Sequence, residues 1–250
     1  MVTFADELFE DGLFAALYDH FNPWSASDDF YLEQAREAGG RILDLGCGTG
    51  LLAARMASEG LSVFGADPAE AMLAIARGRP GAARVRWIHA DGQSLELPER
   101  FHLIFMNGHA FQTQLNDEMA LALLRNAARH LAPRGRLILE TRNPARREWL
   151  EWTPENATVV TIPGQGKVEE SHETDLDSRS GILSIVHRYR FIDQGCEQVA
   201  HSRIRFIEPE HVEQLIADAG LTPLAWYGDW DKRPLSLASP EIIVVAGRTG

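Results

Sequence analysis

Arg41-Ile42-Leu43-Asp44-Leu45-Gly46-Cys47-Gly48-Thr49-Gly50 is the stretch on which the fold turns. Ile42, Leu43 and Leu45 read as a short buried strand, and glycines at 46, 48 and 50 read as a turn that needs a permissive backbone. A helix follows from Thr49 to Glu59, so its first unpaired N–H groups face whatever polar group lies over the turn. Strand, glycine turn and helix in this order open a doubly wound α/β unit.

The same grammar extends downstream. Strands are predicted at 41–45, 61–66, 84–88, 101–106 and 136–141, and helices at 49–59, 69–78 and 117–131. Short apolar strands separated by helices imply a mostly parallel sheet covered on both faces. Asn116 reads as the N-cap of the last of these helices, and Pro133 and Gly135 as its exit. Beyond Pro154 the pattern alternates polar and apolar over 157–162, 167–176, 182–193 and 197–207, which predicts an inserted antiparallel meander. Pro209 opens a final helix closed by Gly220, followed by strands 221–227 and 241–247. The link between those two is too short for a crossover helix, so the last strand runs antiparallel.

Upstream, Phe4, Leu8, Phe9, Leu13, Phe14, Leu17, Tyr18 and Phe21 recur near a helical period. They predict one amphipathic helix over 4–21, ended by Asn22-Pro23. A second helix is predicted with Ser27 as N-cap, Asp28 and Asp29 in its first turn and Gly39-Gly40 at its end. The expected fold is therefore α/β: a doubly wound, mostly parallel seven-stranded Rossmann-like sheet with an antiparallel last strand, plus an inserted β-meander. One domain holds it all, with an N-terminal helical lid over 1–40, a core over 41–150, the insert over 155–207 and a closing helix and hairpin over 208–250.

Composition narrows the function. A chain of 250 residues, 45% hydrophobic, can bury one substantial core. Its net charge of -12 repels phosphate backbones, which disfavours nucleic acid as a partner. An acidic start and the lack of an 18-residue apolar run argue against a membrane partner and for a cytoplasmic location. Cys47 and Cys196 show neither Cys-x-x-C spacing nor clustering with histidine, so no metal is expected.

The glycine turn discriminates among nucleotide binders. A dinucleotide motif, G-x-G-x-x-G, needs glycine at 51, where Leu51 stands. A phosphate loop needs lysine before Ser or Thr, and the first lysine is Lys167. What remains is D-x-G-x-G-x-G from Asp44 to Gly50, and with it the chain resembles the class I S-adenosylmethionine-dependent methyltransferases, strongly over 41–144 and weakly over the last 40 residues.

That resemblance implies a set of cofactor contacts. Asp44 falls at the ammonium, Gly46, Cys47, Gly48, Thr49 and Gly50 beneath the methionine part, and Asp67 with Pro68 at the ribose hydroxyls. A carboxylate suits the last task because two acceptor oxygens meet two vicinal donors. Met72 falls against adenine, Asp91 with Gly92 at its amine, and Asn107 and Tyr18 beside the sulfonium. Each has a structural alternative: Asp67-Pro68 as a helix cap, Asp91-Gly92 as a turn, Met72 as core and Cys47 as a small turn residue.

Methyl transfer, which leaves S-adenosylhomocysteine, depends on alignment first and on a base only where the nucleophile carries a proton. His109, just past strand 101–106, is the candidate base, with a hydrogen-bonded structural histidine as the alternative. Asn107-Gly108-His109-Ala110 is not the Asn/Asp-Pro-Pro-aromatic motif of enzymes that methylate adenine or amides, which with the acidity points to a small-molecule acceptor. Tyr18-Asp19, Trp24 and Phe30-Tyr31 resemble the N-terminal lid of glycine and amino-sugar N-methyltransferases, or else they pack the helices on the core. Trp24, Tyr31 and Arg142 are thus the candidate acceptor contacts. The implied activity is transfer to a nitrogen or oxygen of a small molecule, the alternative a cofactor-binding protein without turnover. The inserted strands either cover the substrate or form a homodimer.

Overall fold

Apolar strands buried on both faces set the frame. The computed structural model describes residues 7–249, so Phe4 of the first predicted helix lies outside them. The N-terminal elements are α1 (Glu7–Glu10), α2 (Gly12–Phe21) and α3 (Ala26–Ala38). The core runs β1 (Arg41–Leu45), α4 (Leu51–Ser58), β2 (Ser62–Asp67), α5 (Glu70–Arg77), β3 (Arg86–His89), β4 (Phe101–Met106), α6 (Asp117–His130) and β5 (Leu131–Arg142). Next come β6 (Thr158–Ile162), β7 (Gly166–Asp177), β8 (Ile182–Phe191) and β9 (Cys196–Arg205), then α7 (Pro209–Asp218), β10 (Leu221–Tyr227) and β11 (Glu241–Arg248).

Seven strands form one sheet in the order β10-β11-β5-β4-β1-β2-β3. β1 pairs in parallel with β2 and β4, and β11 lies antiparallel between β5 and β10. Leu43, Leu45, Ile104 and Met106 pack toward α6 and α7, while Ile42, Leu103 and Phe105 pack toward α3 and α4. Burial on both sides is why these strands show no polar alternation. Each such side chain contributes about 1.5–3 kcal/mol.

Three local details differ from the sequence reading. The helix expected over 4–21 breaks at Asp11, whose carboxylate accepts from Leu13 N (2.7 Å) and caps a new helix, α2. Ser25, not Ser27, caps α3, in a capping box whose partner is Asp28. Pro133 and Gly135, expected in a helix exit, lie inside β5. A register shift opposite Phe101 accommodates them, and a Cβ on Gly135 would fall 2.6 Å from the Phe101 carbonyl oxygen.

The insert is a separate antiparallel sheet in the order β6-β7-β8-β9. Its inner face carries Val168, Tyr189, Phe191 and Ala200, which pack with Leu8, Phe14 and Leu17 of the N-terminal helices. At its other end Leu183, Ile185 and Phe206 meet Trp149 and Trp152. Gln112, in the turn that follows β4, donates to the Arg205 carbonyl (3.1 Å). The insert therefore stands beyond the carboxyl ends of the parallel strands. Its outer face is laced by Arg190–Glu169 and Arg188 with Glu173 and Glu197. Among the described residues no helix is long and apolar enough to cross a membrane.

Candidate active site

Open α/β sheets bind ligands at the carboxyl ends of their strands, and four carboxylates gather there in this chain. Asp44 is the last residue but one of β1, Asp67 ends β2, Glu140 lies near the end of β5, and Asp28 reaches in from the first turn of α3. All four are buried. Burial, then the charges of Asp67, Asp28 and Glu140, pushes the Asp44 carboxyl far above its ordinary range. Burial also raises Asp28 and Asp67, and lifts Glu140 to about 8 against the bonds from Tyr31 and His109 that lower it. Such mutual repulsion in a low dielectric is relieved by a cation.

Two acceptor atoms in the cluster lack any partner: Asp44 Oδ1 and Asn107 Oδ1 are buried without a hydrogen bond. Asn107 ends up where β4 stops, and its Nδ2 donates to Asp28 Oδ1 (3.1 Å). Asp28 thereby does two jobs, since its other oxygen accepts from Ser25 N (2.8 Å) to start α3. Orphaned buried acceptors cost about 1–3 kcal/mol each, and a bound ammonium group answers both.

The glycine turn lies beside them. Gly48 adopts φ 52°, and a Cβ there would meet nothing within 4 Å, so the turn opens onto free space. Gly46 (φ 86°) is pressed instead against Ala110, and Gly50 (φ 71°) against Trp87 and Ala76. Asp67 Oδ2 accepts from Gly48 N (2.7 Å) and Oδ1 from Ala69 N (2.9 Å). Both oxygens keep further lone pairs for hydroxyl donors. Cys47 is buried, and burial followed by Asp44 and Asp67 holds its thiol protonated. Thr49 Oγ1 donates to Asp19 Oδ1 (2.6 Å) and accepts from Arg79 Nη2 (2.9 Å), and Arg79 also pairs with Asp19. That triangle fastens α2 to the turn.

Along the β2–β3 side, Met72 is fully buried with Ala15 and Ala69, against Tyr18 and Phe9. Pro68 is exposed and its carbonyl accepts from the His89 ring (2.8 Å). Asp91 Oδ1 accepts from Gln93 N (2.8 Å), a turn of its own making, and a Cβ on Gly92 would fall 2.6 Å from Leu123.

The mouth of the site holds Tyr18, His109 and Arg142. Burial raises the Tyr18 hydroxyl, Arg142 lowers it, and Asp67, Asp28 and Glu140 raise it again; the hydroxyl lies 3.6 Å from where a Cβ on Gly108 would fall. His109 follows Gly108 in left-handed backbone (φ 60°), a conformation held by its N–H donating to Glu140 Oε1 (2.9 Å). Its Nε2 lies 3.0 and 3.1 Å from the two oxygens of Glu241. Burial, then Arg142, pushes the imidazole well below its usual range, and burial lifts Glu241 to about 7. Arg142 Nη1 donates to Gln112 Oε1 (3.0 Å) and its guanidinium lies over Trp152.

The other two aromatics expected at the acceptor stand apart. Tyr31 is fully buried, stacked on Phe105, and its hydroxyl meets Glu140 and the Met106 carbonyl. It reaches the site only through Glu140. Trp24 lies exposed just before the cap of α3, donating to Asp29 Oδ1 (2.9 Å). Asp28, Glu140, Glu241 and Arg79 were not legible as site residues, and Asp19 was read only as part of the lid. A surface cavity of about 520 Å³ beside Leu97 and His130 lies where β4 and β5 begin, on the wrong edge of the sheet for a ligand of this fold.

An α/β sheet of this order with a glycine turn and an acid cluster that fits a cationic amine defines a class of S-adenosylmethionine-dependent enzyme. Comparison with known proteins agrees. Residues 42–135 match the methyltransferase domain family. Cypemycin N-terminal methyltransferase from Streptomyces sp. is 27% identical over 84% of each chain. Ubiquinone biosynthesis O-methyltransferase from Ruegeria pomeroyi is 38% identical over 75% of this chain, a match spanning 62% of that relative. Among solved structures, the CcbJ methyltransferase from Streptomyces caelestis superposes with a TM-score of 0.78 at 21% identity, over 94% of this chain and 96% of that one. The chain is a class I S-adenosylmethionine-dependent methyltransferase.

Proposed function

We propose that this chain methylates a nitrogen or oxygen nucleophile on a small molecule. The covered mouth carries the reading: α2 is fastened to the glycine turn by Asp19, Thr49 and Arg79, and the inserted sheet stands above the same strand ends. What enters between them is small. The two relatives, an N-terminal and an O-methyltransferase, support the pair of nucleophile types.

When bound, S-adenosylmethionine supplies an electrophilic methyl group on a sulfonium. Asp44 and Asn107 would hold its ammonium, Gly46 to Gly50 its methionine chain, Asp67 with Pro68 its ribose, and Met72 with Asp91 and Gly92 its adenine. Tyr18, at the mouth, keeps water from the acid cluster. His109 is oriented through Nε2 by Glu241, which leaves Nδ1 to take a proton from the acceptor. Arg142 offers the mouth its cation, suited to an acidic group on the substrate. Cys47, protonated, has no nucleophilic part.

The test is a panel of amines, hydroxyacids, phenols and amino sugars incubated with enzyme and S-adenosylmethionine, scored by mass spectrometry for S-adenosylhomocysteine and a methylated product. One chemical class should turn over. Labelling of proteins or nucleic acid instead, with the whole panel inert, would overturn the small-molecule reading.

A further inference from the structure

A second cluster sits on the inner face of the inserted sheet, outside the site above. Glu170 and His172 stand two residues apart on β7, and His187 lies directly opposite His172 on β8, so all three project from one face. Glu170 Oε1 lies 3.5 Å from His172 Nε2 and 3.9 Å from His187 Nδ1. The three atoms fall within 4.8 Å of one another. Bonds of roughly 2.0–2.1 Å in a tetrahedral zinc site set ligand atoms about 3.3 Å apart. Small side-chain rotations close that gap, and the strands need not move.

Ser202 anchors one of these rings. His187 Nε2 lies 2.8 Å from Ser202 Oγ on β9, and in the tautomer that donates to that oxygen Nδ1 is a lone pair on the side of Glu170. Nδ1 is buried, its residue 8% exposed, and has no hydrogen-bond partner. A lone pair desolvated in this way is costly unless something meets it. Tyr189 donates to Glu170 Oε1 (2.7 Å), and the two imidazole rings meet edge to face at 4.9 Å. A metal-binding histidine characteristically has its second nitrogen anchored just as Ser202 anchors His187. His172, the most exposed of the three at 26% of its side chain, leaves the way in.

We propose that Glu170, His172 and His187 form a three-ligand site for a borderline first-row divalent cation such as Zn²⁺ or Co²⁺, with water in the fourth position. Two imidazoles and one carboxylate suit these ions, whereas Mg²⁺ and Ca²⁺ take sets of oxygens. The site staples β7 to β8 and needs no part of the cofactor cluster.

Chelator-treated full-length protein is titrated with Co²⁺ and followed by its visible d–d absorption, then challenged with Zn²⁺. One equivalent of four-coordinate Co²⁺, displaced by Zn²⁺, is expected, and Zn²⁺ should raise the Tm in proportion to occupancy. His172→Gln and His187→Gln should each abolish the spectrum, and Ser202→Ala should weaken binding by about 10–100-fold. His201→Gln, on the exposed outer face of β9, should leave it unchanged. S-adenosylhomocysteine binding by every variant reports that it folds. No d–d spectrum in the wild type, or one that survives both His172→Gln and His187→Gln, overturns the site and leaves a hydrogen-bonded His–Glu cluster.

Discussion

Asp44 and Asp67 lie at the carboxyl ends of adjacent parallel strands, yet only Asp67 has its charge answered by the backbone, through Gly48 and Ala69, while Asp44 keeps one buried oxygen unpartnered. The unpartnered acid is the one poised for a cation.

Asp44→Asn should therefore separate binding from stability. It removes the anion that the ammonium needs, and S-adenosylhomocysteine affinity should fall by about 10–100-fold, as expected for a hydrogen bond to a charged group. It also removes repulsion against Asp67, Asp28 and Glu140, so the ligand-free Tm should rise. Calorimetry and thermal denaturation of the same preparation read both. A variant that is less stable and binds as before would remove Asp44 from the ammonium site.

Asp67→Asn should cost affinity as well, by about tenfold or more. Here stability should fall too, because the amides of Gly48 and Ala69 lose a charged acceptor. Unchanged affinity with lowered Tm would mark Asp67 as a cap and nothing more.

The raised carboxyls make ligand-free stability depend on pH in a definite direction. Glu140 titrates at about 8 and Glu241 at about 7 in the fold, against an ordinary value of 4.5. Their contribution is fully present below about 4.5 and is lost as pH rises through 7 and 8, because the unfolded chain has by then released protons that the fold retains. Tm should fall between pH 5 and 8.5, and Glu140→Gln should flatten the decline. Binding of the cationic cofactor should release protons, seen as a dependence of the calorimetric enthalpy on buffer. A Tm that climbs over this range, equally in Glu140→Gln, would contradict the assignment.

Arg79→Ala should loosen α2 from the glycine turn, since Asp19 and Thr49 lose their shared donor. The expected effect is on cofactor exchange: stopped-flow dissociation of S-adenosylhomocysteine faster by about tenfold or more. An unaltered rate would mean that α2 is held by Phe14 and Leu17 alone.

What was readable in the sequence follows from range. The strand, turn and helix over 41–58 were legible because their signal is local: apolar run, glycines, helical period. Breaks set by a single side chain, such as Asp11 capping α2, compete with that period and lose to it on paper. Glu140 was not legible, since an acid after Leu137-Ile138-Leu139 reads as the end of a strand. Its burial depends on α3 and on the His109 turn, both distant in sequence. His172 and His187 are fifteen residues apart and looked unrelated to any metal. The β7–β8 register alone brings them together.

The base remains the sharpest question about turnover. His109 is held by Glu241 through Nε2 and stays neutral at physiological pH, since burial and Arg142 both disfavour its charged form. As a base acting through Nδ1 it predicts that His109→Gln lowers kcat by about a hundredfold or more and leaves S-adenosylhomocysteine affinity intact. Glu241 orients the ring best when ionised, so kcat should fall as pH drops below about 7. Glu241→Gln should lower kcat less than His109→Gln does and erase that acidic limb. A structural histidine predicts otherwise: affinity and Tm should fall together with turnover, because its ring bonds Glu241 and its amide bonds Glu140. Full turnover of His109→Gln from pH 6 to 9 would exclude the base, and alignment of acceptor, methyl and sulfur would then carry the rate by itself.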